Sequence, residues 1–416
     1  MLKKIAVDQL QLGMHLKEFC GSWMDHPFWR TGFVLTNPLD LDLILRSSIK
    51  EVWIDASLGD DVPEGQAVMD EEEVEVAPTE AVKKLKVSVV PHLLRDTTPI
   101  PADKEMARAA MICQESKAAV IAMFEEARMG NAVDVGGARQ LVENISDSVA
   151  RNPGAIISLA RLKTADDYTY MHSVAVCAMM VALAKQLGLN DAQTRSSGMA
   201  GLLHDVGKVA MPPEVLNKPG KLTEAEFTLI RTHPVQGIRL LKATPDVDPV
   251  ALDVVLHHHE KMDGTGYPDR LKGDQISLYA KMGAVCDVYD AITSNRPYKA
   301  GWDPAESLRK MAEWTKSHFD LMVFQAFVKS MGIYPVGSLV RLNSGRIGVV
   351  TEQSAGSLTT PIMKVFFSTK SNMRIMPYVL DLSLPGCTEK IFQREDPEKW
   401  KFPDLNEMWS GLLLPT

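Results

Sequence analysis

Apolar residues recur at helical spacing over a long stretch that begins at Ala102 and ends near Arg128. The spacing predicts an amphipathic helix in the connecting segment 102–137, with Gly130 as a stop signal. A helix with one apolar face needs a surface that covers it. We expect that surface to belong to the same chain, and the alternative is a dimer stalk. The apolar positions are Met106, Ala109, Ala110, Cys113, Val120, Phe124 and Ala127.

Residues 138–335 carry a helical pattern throughout, and several helix boundaries can be read from the sequence. Gly188 would end one helix, and Thr223 would begin another through a capping box. Asp248 and Pro249 offer an N-cap and a first-turn proline for a third helix. We therefore predict an all-α domain over this region, built as a helical bundle.

Both ends of the chain differ from its helical middle. Residues 1–58 mix short β-like runs with one predicted helix, which indicates a small α+β module. Residues 59–101 open with an acidic stretch that shows no sustained period, so we predict a linker and connector there. Residues 336–416 carry β-branched runs broken by Gly and Ser, which predict a β-rich segment. The predicted fold class of the whole chain is mainly α.

Composition narrows the class of protein. A chain of 416 residues predicts two or three domains, and its net charge of -8 argues against DNA as a partner. The longest apolar run, residues 174–184, is far shorter than the roughly 20 residues that cross a bilayer. Five scattered cysteines without CxxC spacing fit free thiols in a reducing compartment. We therefore predict a cytoplasmic protein without membrane insertion.

Histidines and aspartates in the helical region are the strongest candidates for a chemical site. Successive groups of them lie 25 to 32 residues apart, about one helix plus its connection. Facing helices of a bundle would bring one group each into a common interior pocket. Seven imidazoles and carboxylates are too many for one ion with open positions, so two metal ions sharing a bridge are favoured. The predicted ligands are His172, His204, Asp205, His233, His258, His259 and Asp287.

Each of these residues has a simpler interpretation when it is taken alone. His172 would more often be a hydrogen-bonded core histidine, and His233 stands at a helix boundary before Pro234. His204 and Asp205 end an apolar run, where burial without a partner would be costly. The complete set favours a metal centre over seven unrelated residues.

Motifs around these residues resemble the HD-GYP branch of the HD-domain phosphohydrolases. They are HD at 204–205 followed by VGK, HP at 233–234, HHE at 258–260, DGTGYP at 263–268 and CDVYDAITSNRPY at 286–298. The resemblance covers roughly residues 165–335, in the order and spacing of that family. It implies an HD-type helical catalytic domain that hydrolyses cyclic di-GMP at a centre of two or three metal ions. The segment upstream is similar to an uncharacterised domain that often precedes this catalytic unit.

The resemblance also implies a role for each matching residue. The seven candidates would ligate metal, with Asp205 as the bridge. Lys208 would contact the scissile phosphate, and Tyr267 with its glycine turn would shape the substrate pocket. Arg296 and Lys299 would bind phosphate oxygens, although two charges in a surface turn are the simpler interpretation of that pair. Asp205 and Lys208 are thus the predicted catalytic residues.

One departure from the family pattern bears on the number of metal ions. Members with a third metal carry a glutamate four residues before the first ligand histidine, and Tyr168 stands at that position here. Asp167 is one residue out of register, which on a helix turns its side chain by about 100°. We therefore expect two divalent ions. Fe or Mn is expected first, and other divalent ions would use the same ligands.

The HHHEKMDGTGYP stretch contains residues whose roles the sequence leaves open. His257 falls outside the family pattern and is predicted to be a packing or surface residue. Glu260 could orient a ligand imidazole, and Asp263 is expected to serve the turn rather than to act as an acid. The glycines of the turn would let its backbone approach a bulky nucleotide without a side-chain collision.

These residues predict a mechanism and leave two alternatives. A hydroxide bridging the paired metals would attack the phosphate in line and open the ring to pGpG, and a second round would give GMP. Lys208 would stabilise the charge that develops on the phosphate. One alternative is a weakly catalytic receptor that signals through a partner protein, and the other is a phosphodiesterase for a different cyclic dinucleotide. All motif ligands are present, which argues against the receptor.

Overall fold

The computed structural model describes residues 2–20, 33–45, 50–61, 97–162, 168–216, 218, 220–242, 244–294, 301–354 and 356–412. The chain divides into two compact units, Met1–Asp96 and Thr97–Thr416. Helices predominate, and small antiparallel sheets lie near both ends, so the predicted mainly α class is confirmed. No helix in the described ranges is long and apolar enough to cross a lipid bilayer.

The first unit contains an antiparallel sheet with a covering helix. Its elements are β1 (Leu2–Ala6), β2 (His15–Cys20), β3 (Phe33–Val34), α1 (Pro38–Leu45) and β4 (Glu51–Asp55). The strand order is β1-β4-β2-β3. In β4 the buried Val52 and Ile54 alternate with more exposed neighbours, as expected for a sheet with one covered face. They form a hydrophobic core with Ile5, Leu16 and Ile44.

A bundle of helices forms most of the second unit. Its α-helices are α2 (Ala102–Arg128), α3 (Val135–Arg151), α4 (Pro153–Ala160), α5 (Tyr168–Gln186), α6 (Asp191–Leu203), α7 (Pro213–Leu216), α8 (Glu224–Ile230), α9 (His233–Leu241), α10 (Pro249–His257), α11 (Leu278–Thr293), α12 (Pro304–Trp314) and α13 (Leu321–Met331). The predicted capping box of Thr223 and Glu226 begins α8, and Asp248 caps α10 ahead of Pro249. Local capping chemistry therefore sets these two boundaries.

The connecting segment 102–137 is not one helix. α2 ends at Arg128, Gly130 adopts a φ of 82°, and α3 begins inside the segment at Val135. A left-handed backbone at Gly130 cannot continue a right-handed helix, which explains the break. The apolar face of α2 packs against α3, α4 and α5 of the same chain.

Two glycines let the central helices α5 and α6 approach closely. A Cβ atom on Gly201 would lie 3.0 Å from the backbone of Cys177, and one on Gly198 would lie 2.8 Å from a methyl group of Val181. Neither position has room for a side chain. The close crossing brings the first turn of α5, which carries His172, to the end of α6, where His204 lies.

The C-terminal part of the second unit is an antiparallel sheet followed by two short helices. Its elements are β5 (Leu339–Leu342), β6 (Arg346–Glu352), β7 (Ile362–Ser368), β8 (Met373–Asp381), β9 (Ile391–Arg394), α14 (Pro397–Trp400) and α15 (Leu405–Ser410), with the strands in the order β8-β7-β6-β5-β9. The sheet is joined to the bundle by an ion pair of 2.8 Å between Arg394 and Asp303. Most of the predicted linker 59–101 lies outside the described residues, and the predicted domain boundaries remain predictions.

Candidate metal centre

All seven predicted metal ligands meet in the interior of the helical bundle. His172 lies in the first turn of α5, and Asp287 lies within α11. The others lie at helix ends, where the chain turns and side chains can converge. His204 and Asp205 follow α6, His233 begins α9, and His258 and His259 follow α10.

The ligands form two sets that share a neighbour. The first ligand set is His172, His204 and Asp287, and the second ligand set is His233, His258 and His259. Within each set, one potential ligand atom per residue lies within 4.8 Å of the corresponding atoms of the other two. This is the spacing needed for three side chains to ligate a common ion.

Asp205 lies between the two ligand sets and turns one oxygen toward each. Its Oδ2 atom is 3.4 Å from Nε2 of His172 and 3.3 Å from Nε2 of His204. Its Oδ1 atom is 3.3 Å from Nε2 of His233 and 3.8 Å from Nε2 of His258. The carboxylate is therefore placed as a bridging ligand would be.

The Oδ1 atom of Asp205 is a buried oxygen without a hydrogen-bond partner among the residues that the structure describes. Asp205 is only 1 % exposed, so water cannot easily compensate for the missing partner. A buried carboxylate oxygen in this state is costly unless a cation neutralises it. This oxygen and the mixed imidazole and carboxylate donors fit a site for divalent metal.

Backbone carbonyls orient three of the imidazoles. Each of the three places Nδ1 within hydrogen-bonding distance of a carbonyl oxygen, which leaves Nε2 directed into the centre. The pairs are His204 with Gly201 at 2.8 Å, His233 with Ile230 at 2.8 Å and His258 with Val254 at 2.9 Å.

Asp290 orients the fourth imidazole, and the sequence reasoning did not identify it. Its Oδ2 atom lies 2.6 Å from Nδ1 of His172, and the residue is fully buried. A carboxylate behind a ligand histidine fixes the ring and raises its basicity. The available signal was its position three residues after Asp287, because such residues share one face of a helix.

The pKa shifts have different causes in the two carboxylates and in the imidazoles of the second ligand set. Burial would raise the pKa values of Asp205 and Asp287, but the surrounding imidazoles, together with Lys208 beside Asp205, hold both well below the usual range. Burial lowers the pKa of His233 to about 4 and that of His259 to about 3. The acids are thus charged and these imidazoles neutral, the protonation states that metal ligation requires.

His172 behaves differently from the second ligand set. Burial would lower its pKa, but hydrogen bonds with Asp205, Asp287 and Asp290 outweigh burial and raise the pKa to about 10. Ligation of an ion by the first ligand set would require a neutral His172 imidazole, so ion binding there would compete with protonation.

Lys208 and Tyr267 lie beside the centre, as the sequence predicts for residues around the substrate. The Lys208 ammonium group donates to Oδ2 of Asp205, and its side chain is 25 % exposed. The Tyr267 ring stacks on the His259 ring with centroids 4.7 Å apart and planes inclined by 29°. Arg231 lies over the Tyr267 ring, with its Cζ atom 4.6 Å from the centroid.

Comparison with known proteins identifies the family. A family described as "HD domain" matches residues 144–323, and a domain of unknown function matches residues 2–138. A cyclic di-GMP phosphodiesterase of Pseudomonas aeruginosa is 54% identical over 417 residues, which is 100% of this chain and 97% of that protein. The chain belongs to the HD-GYP family of cyclic di-GMP phosphodiesterases.

More distant relatives of this HD-GYP protein differ in their named substrates. A 3'3'-cGAMP-specific phosphodiesterase of Vibrio cholerae is 35% identical over 168 residues, which is 40% of this chain and 36% of that protein. Among solved structures, an HDG"Y"P protein from Bdellovibrio bacteriovorus has a TM-score of 0.45 and 15% identity. That match covers 79% of this chain and 98% of the other.

The glycine turn of the HD-GYP motif is held by its own chain. A Cβ atom on Gly266 would lie 2.5 Å from the Glu260 backbone, so the close approach is between the turn and the end of α10. This contact within the chain is sufficient to explain a glycine at position 266, without the expected approach of a nucleotide. Glu260 does not orient an imidazole, because its carboxylate accepts backbone hydrogen bonds from Asp269 at 2.7 Å and Leu271 at 3.1 Å.

The other residues of the HHHEKMDGTGYP stretch serve local structure. Asp263 accepts two hydrogen bonds from Thr265 at 2.8 Å and 2.7 Å, which is a turn role. His257 lies apart from the HD-GYP centre, with its ring nitrogens 2.7 Å from Asp253 and 3.1 Å from Asp269. The first histidine of the run is thus a partly exposed residue paired with two acids.

Two predicted phosphate contacts cannot be placed. Arg296 and Lys299 lie outside the described residues, as does Asp167. Tyr168 is the first residue of α5, four residues ahead of His172. The HD-GYP centre is therefore described by its seven candidate ligands, Asp290, Lys208, Tyr267 and Arg231.

Proposed function

We propose that this protein hydrolyses cyclic di-GMP to linear pGpG and then to GMP. The observation that carries the proposal is the position of the Asp205 carboxylate, which turns one buried oxygen toward each ligand set. The 54% identical relative, named as a cyclic di-GMP phosphodiesterase, supports the choice of substrate. The chain covers 97% of that relative, so the comparison extends over nearly all of the relative's length.

The first and second ligand sets would each hold one divalent ion, and Asp205 would bridge them. Bound there, Fe or Mn ions would supply a hydroxide at neutral pH and neutralise charge on the attacked phosphate. Asp290 would keep the His172 imidazole in its ligating orientation, as the backbone carbonyls would for three other histidines. The low exposure of the ligands would exclude bulk water, which strengthens electrostatic interactions in the site.

The residues beside the centre would bind and orient the substrate. Lys208 contacts Asp205 and is partly exposed, so its ammonium group would reach a phosphate oxygen and stabilise the charge that develops there. Tyr267 would form one wall of the pocket through its stack on His259. Arg296 and Lys299 would bind further phosphate oxygens, a role that the family resemblance implies.

Substrate choice among cyclic dinucleotides is part of the proposal. Relatives at 35% identity are named as 3'3'-cGAMP-specific, whereas the 54% identical relative is named for cyclic di-GMP. The much higher identity over the full chain favours cyclic di-GMP. A cytoplasmic location, and either a homodimer or a signalling protein as partner, remain predictions.

The proposal is tested by reconstituting the protein anaerobically with Fe(II), or separately with Mn(II), and incubating it with cyclic di-GMP or 3'3'-cGAMP. Chromatography would follow pGpG and GMP in the wild type, in the His204→Ala/Asp205→Ala variant and in Asp269→Asn. Asp269 is exposed and pairs with His257 outside the centre, so its variant is the matched control. We expect product from the wild type and the control, and none from the double variant.

Two outcomes would contradict the proposal. Binding of cyclic di-GMP without product, at full metal occupancy, would favour a receptor that signals through a partner. Faster turnover of 3'3'-cGAMP than of cyclic di-GMP would reassign the substrate.

A further inference from the structure

The Arg231 guanidinium lies beside the metal centre and lacks an acidic partner among the described residues. Its Cζ atom is 4.6 Å from the Tyr267 centroid and 5.8 Å from the Phe227 centroid. Over the described ranges of the chain, no carboxylate lies within ion-pair distance of it, although the residue is partly buried. A guanidinium carries five donors and is always charged, so leaving them without an acceptor in a partly buried place is unfavourable.

The position of Arg231 is tied to the second ligand set at two points. Through its side chain, Arg231 lies on the Tyr267 ring, which itself stacks on the His259 ring at 4.7 Å. Through the backbone, Arg231 follows Ile230, whose carbonyl oxygen lies 2.8 Å from Nδ1 of His233. The same turn therefore places a ligand imidazole inside the centre and a guanidinium one ring beyond it.

The chemistry of the Arg231 guanidinium indicates which class of ligand it would bind. Guanidinium groups bind phosphate through two parallel hydrogen bonds, and this geometry is stronger than that of a neutral donor. Phe227, which is 47% exposed, adds an aromatic surface of the kind on which nucleotide bases stack. The protein carries a net charge of -8, so an anionic substrate needs local cations at its site.

A cyclic dinucleotide carries two phosphodiesters, and only one can occupy the metal centre at a time. We propose that Arg231 binds the second phosphodiester, the one that is not being cleaved. This inference rests on the proposed function, since it assumes a cyclic dinucleotide substrate. Arg231 thereby favours substrates with two phosphates over simple phosphodiesters, and it is a specificity residue rather than a metal ligand.

The experiment compares Arg231→Gln and Arg231→Lys with the wild type on two substrates. Cyclic di-GMP has two phosphates, whereas bis(p-nitrophenyl) phosphate has one and reports on the metal centre. Arg239→Gln is the matched control, because Arg239 is exposed on α9 and its hydrogen-bond partner is Gln236. Metal content is measured for every variant.

We expect Arg231→Gln to raise KM for cyclic di-GMP about 10-fold, the loss typical of one charged hydrogen-bonding contact. Its loss of kcat/KM on cyclic di-GMP should exceed its loss on bis(p-nitrophenyl) phosphate by about the same factor. Arg231→Lys should recover part of this loss, because it retains the charge but not the paired hydrogen bonds. Arg239→Gln should match the wild type.

Two kinetic results would overturn the inference. An unchanged KM in Arg231→Gln would show that the guanidinium does not touch the substrate. Equal losses on both substrates with reduced metal content would show that Arg231 only supports the stack of Tyr267 on His259. If the wild type cleaves bis(p-nitrophenyl) phosphate but not cyclic di-GMP, the proposed function fails by itself. In that case, calorimetry would measure the affinity of the wild type and of Arg231→Gln for cyclic di-GMP. Equal affinity of the two proteins, or binding to neither, would reject the inference.

Discussion

The first ligand set comes from α5, α11 and the end of α6, whereas the second comes from the start of α9 and the end of α10. His172 is 2 % exposed and is backed by the buried Asp290, but His259 is 24% exposed and stacks on Tyr267. The first ligand set contains a carboxylate, and the second consists of imidazoles only. We infer that the first ligand set binds its ion more tightly, because it offers more negative charge and less freedom to rearrange.

The comparison also separates the two ligand sets by function. An ion in the second ligand set would lie nearer to Tyr267 and Arg231, and so nearer to the proposed substrate pocket, on the side where His259 is 24% exposed. An ion in the first ligand set would be held by residues of α5 and α11 and by His204 at the end of α6. The first ion would therefore stabilise the centre, while the second would be the easier one to remove. Four sets of variants, ordered by expected effect, test whether the two ligand sets differ in this way.

The largest effect is expected for Asp205→Asn. This change removes the carboxylate charge that both ligand sets share, and we expect kcat to fall at least about 1,000-fold. Metal content should drop for both ions, as measured by inductively coupled plasma mass spectrometry. Asp269→Asn serves as the matched control. Retention of two ions per chain with normal turnover would refute the bridging assignment.

His259→Ala should separate the two ions. It removes one ligand of the second ligand set and leaves the first intact, so we expect one retained ion per chain and a loss of turnover of about 100-fold. Asp287→Asn should instead weaken the tighter ion. The measurement is metal content after brief treatment with a chelator. Equal loss of both ions in both variants would mean that the two ligand sets act as one.

Asp290→Asn should have a smaller effect, confined to the first ligand set. The amide retains the shape of the carboxylate but loses its charge, and such changes behind a ligand histidine cost about 10 to 100-fold in metal affinity. Metal titration should show weakened binding of the first ion and unchanged binding of the second. A normal titration would leave Asp290 with a packing role only.

His257→Gln should have the smallest effect. His257 pairs with Asp253 and Asp269, away from the seven candidate ligands. We expect less than about a twofold change in kcat, as for most surface substitutions. A large loss of activity with loss of metal would show that all three consecutive histidines serve the centre.

The sequence predicts most reliably those features that depend only on residues nearby in the chain. Caps such as Thr223 and Asp248 act within three residues of themselves, so the helix starts were predictable. Sequence reasoning missed Asp290 and Arg231, whose importance comes from contacts with residues far away along the chain. It left the role of Glu260 open and did not anticipate the contact of Gly266 with the Glu260 backbone, because both depend on how the turn folds back on α10.

The amino-acid sequence by itself determined the mainly α class and the set of residues that meet in the core. Buried histidines and aspartates at successive helix ends are costly unless they share a purpose, so their spacing alone pointed to a common site. Only the tertiary structure decided how they divide into two ligand sets with Asp205 between them. That division depends on the close crossing of α5 and α6 at Gly201, which leaves Nε2 of His172 3.4 Å and Nε2 of His204 3.3 Å from the same Asp205 oxygen. Spacing along the chain contains no information of that precision, because a helix can be rotated or shifted without changing its sequence.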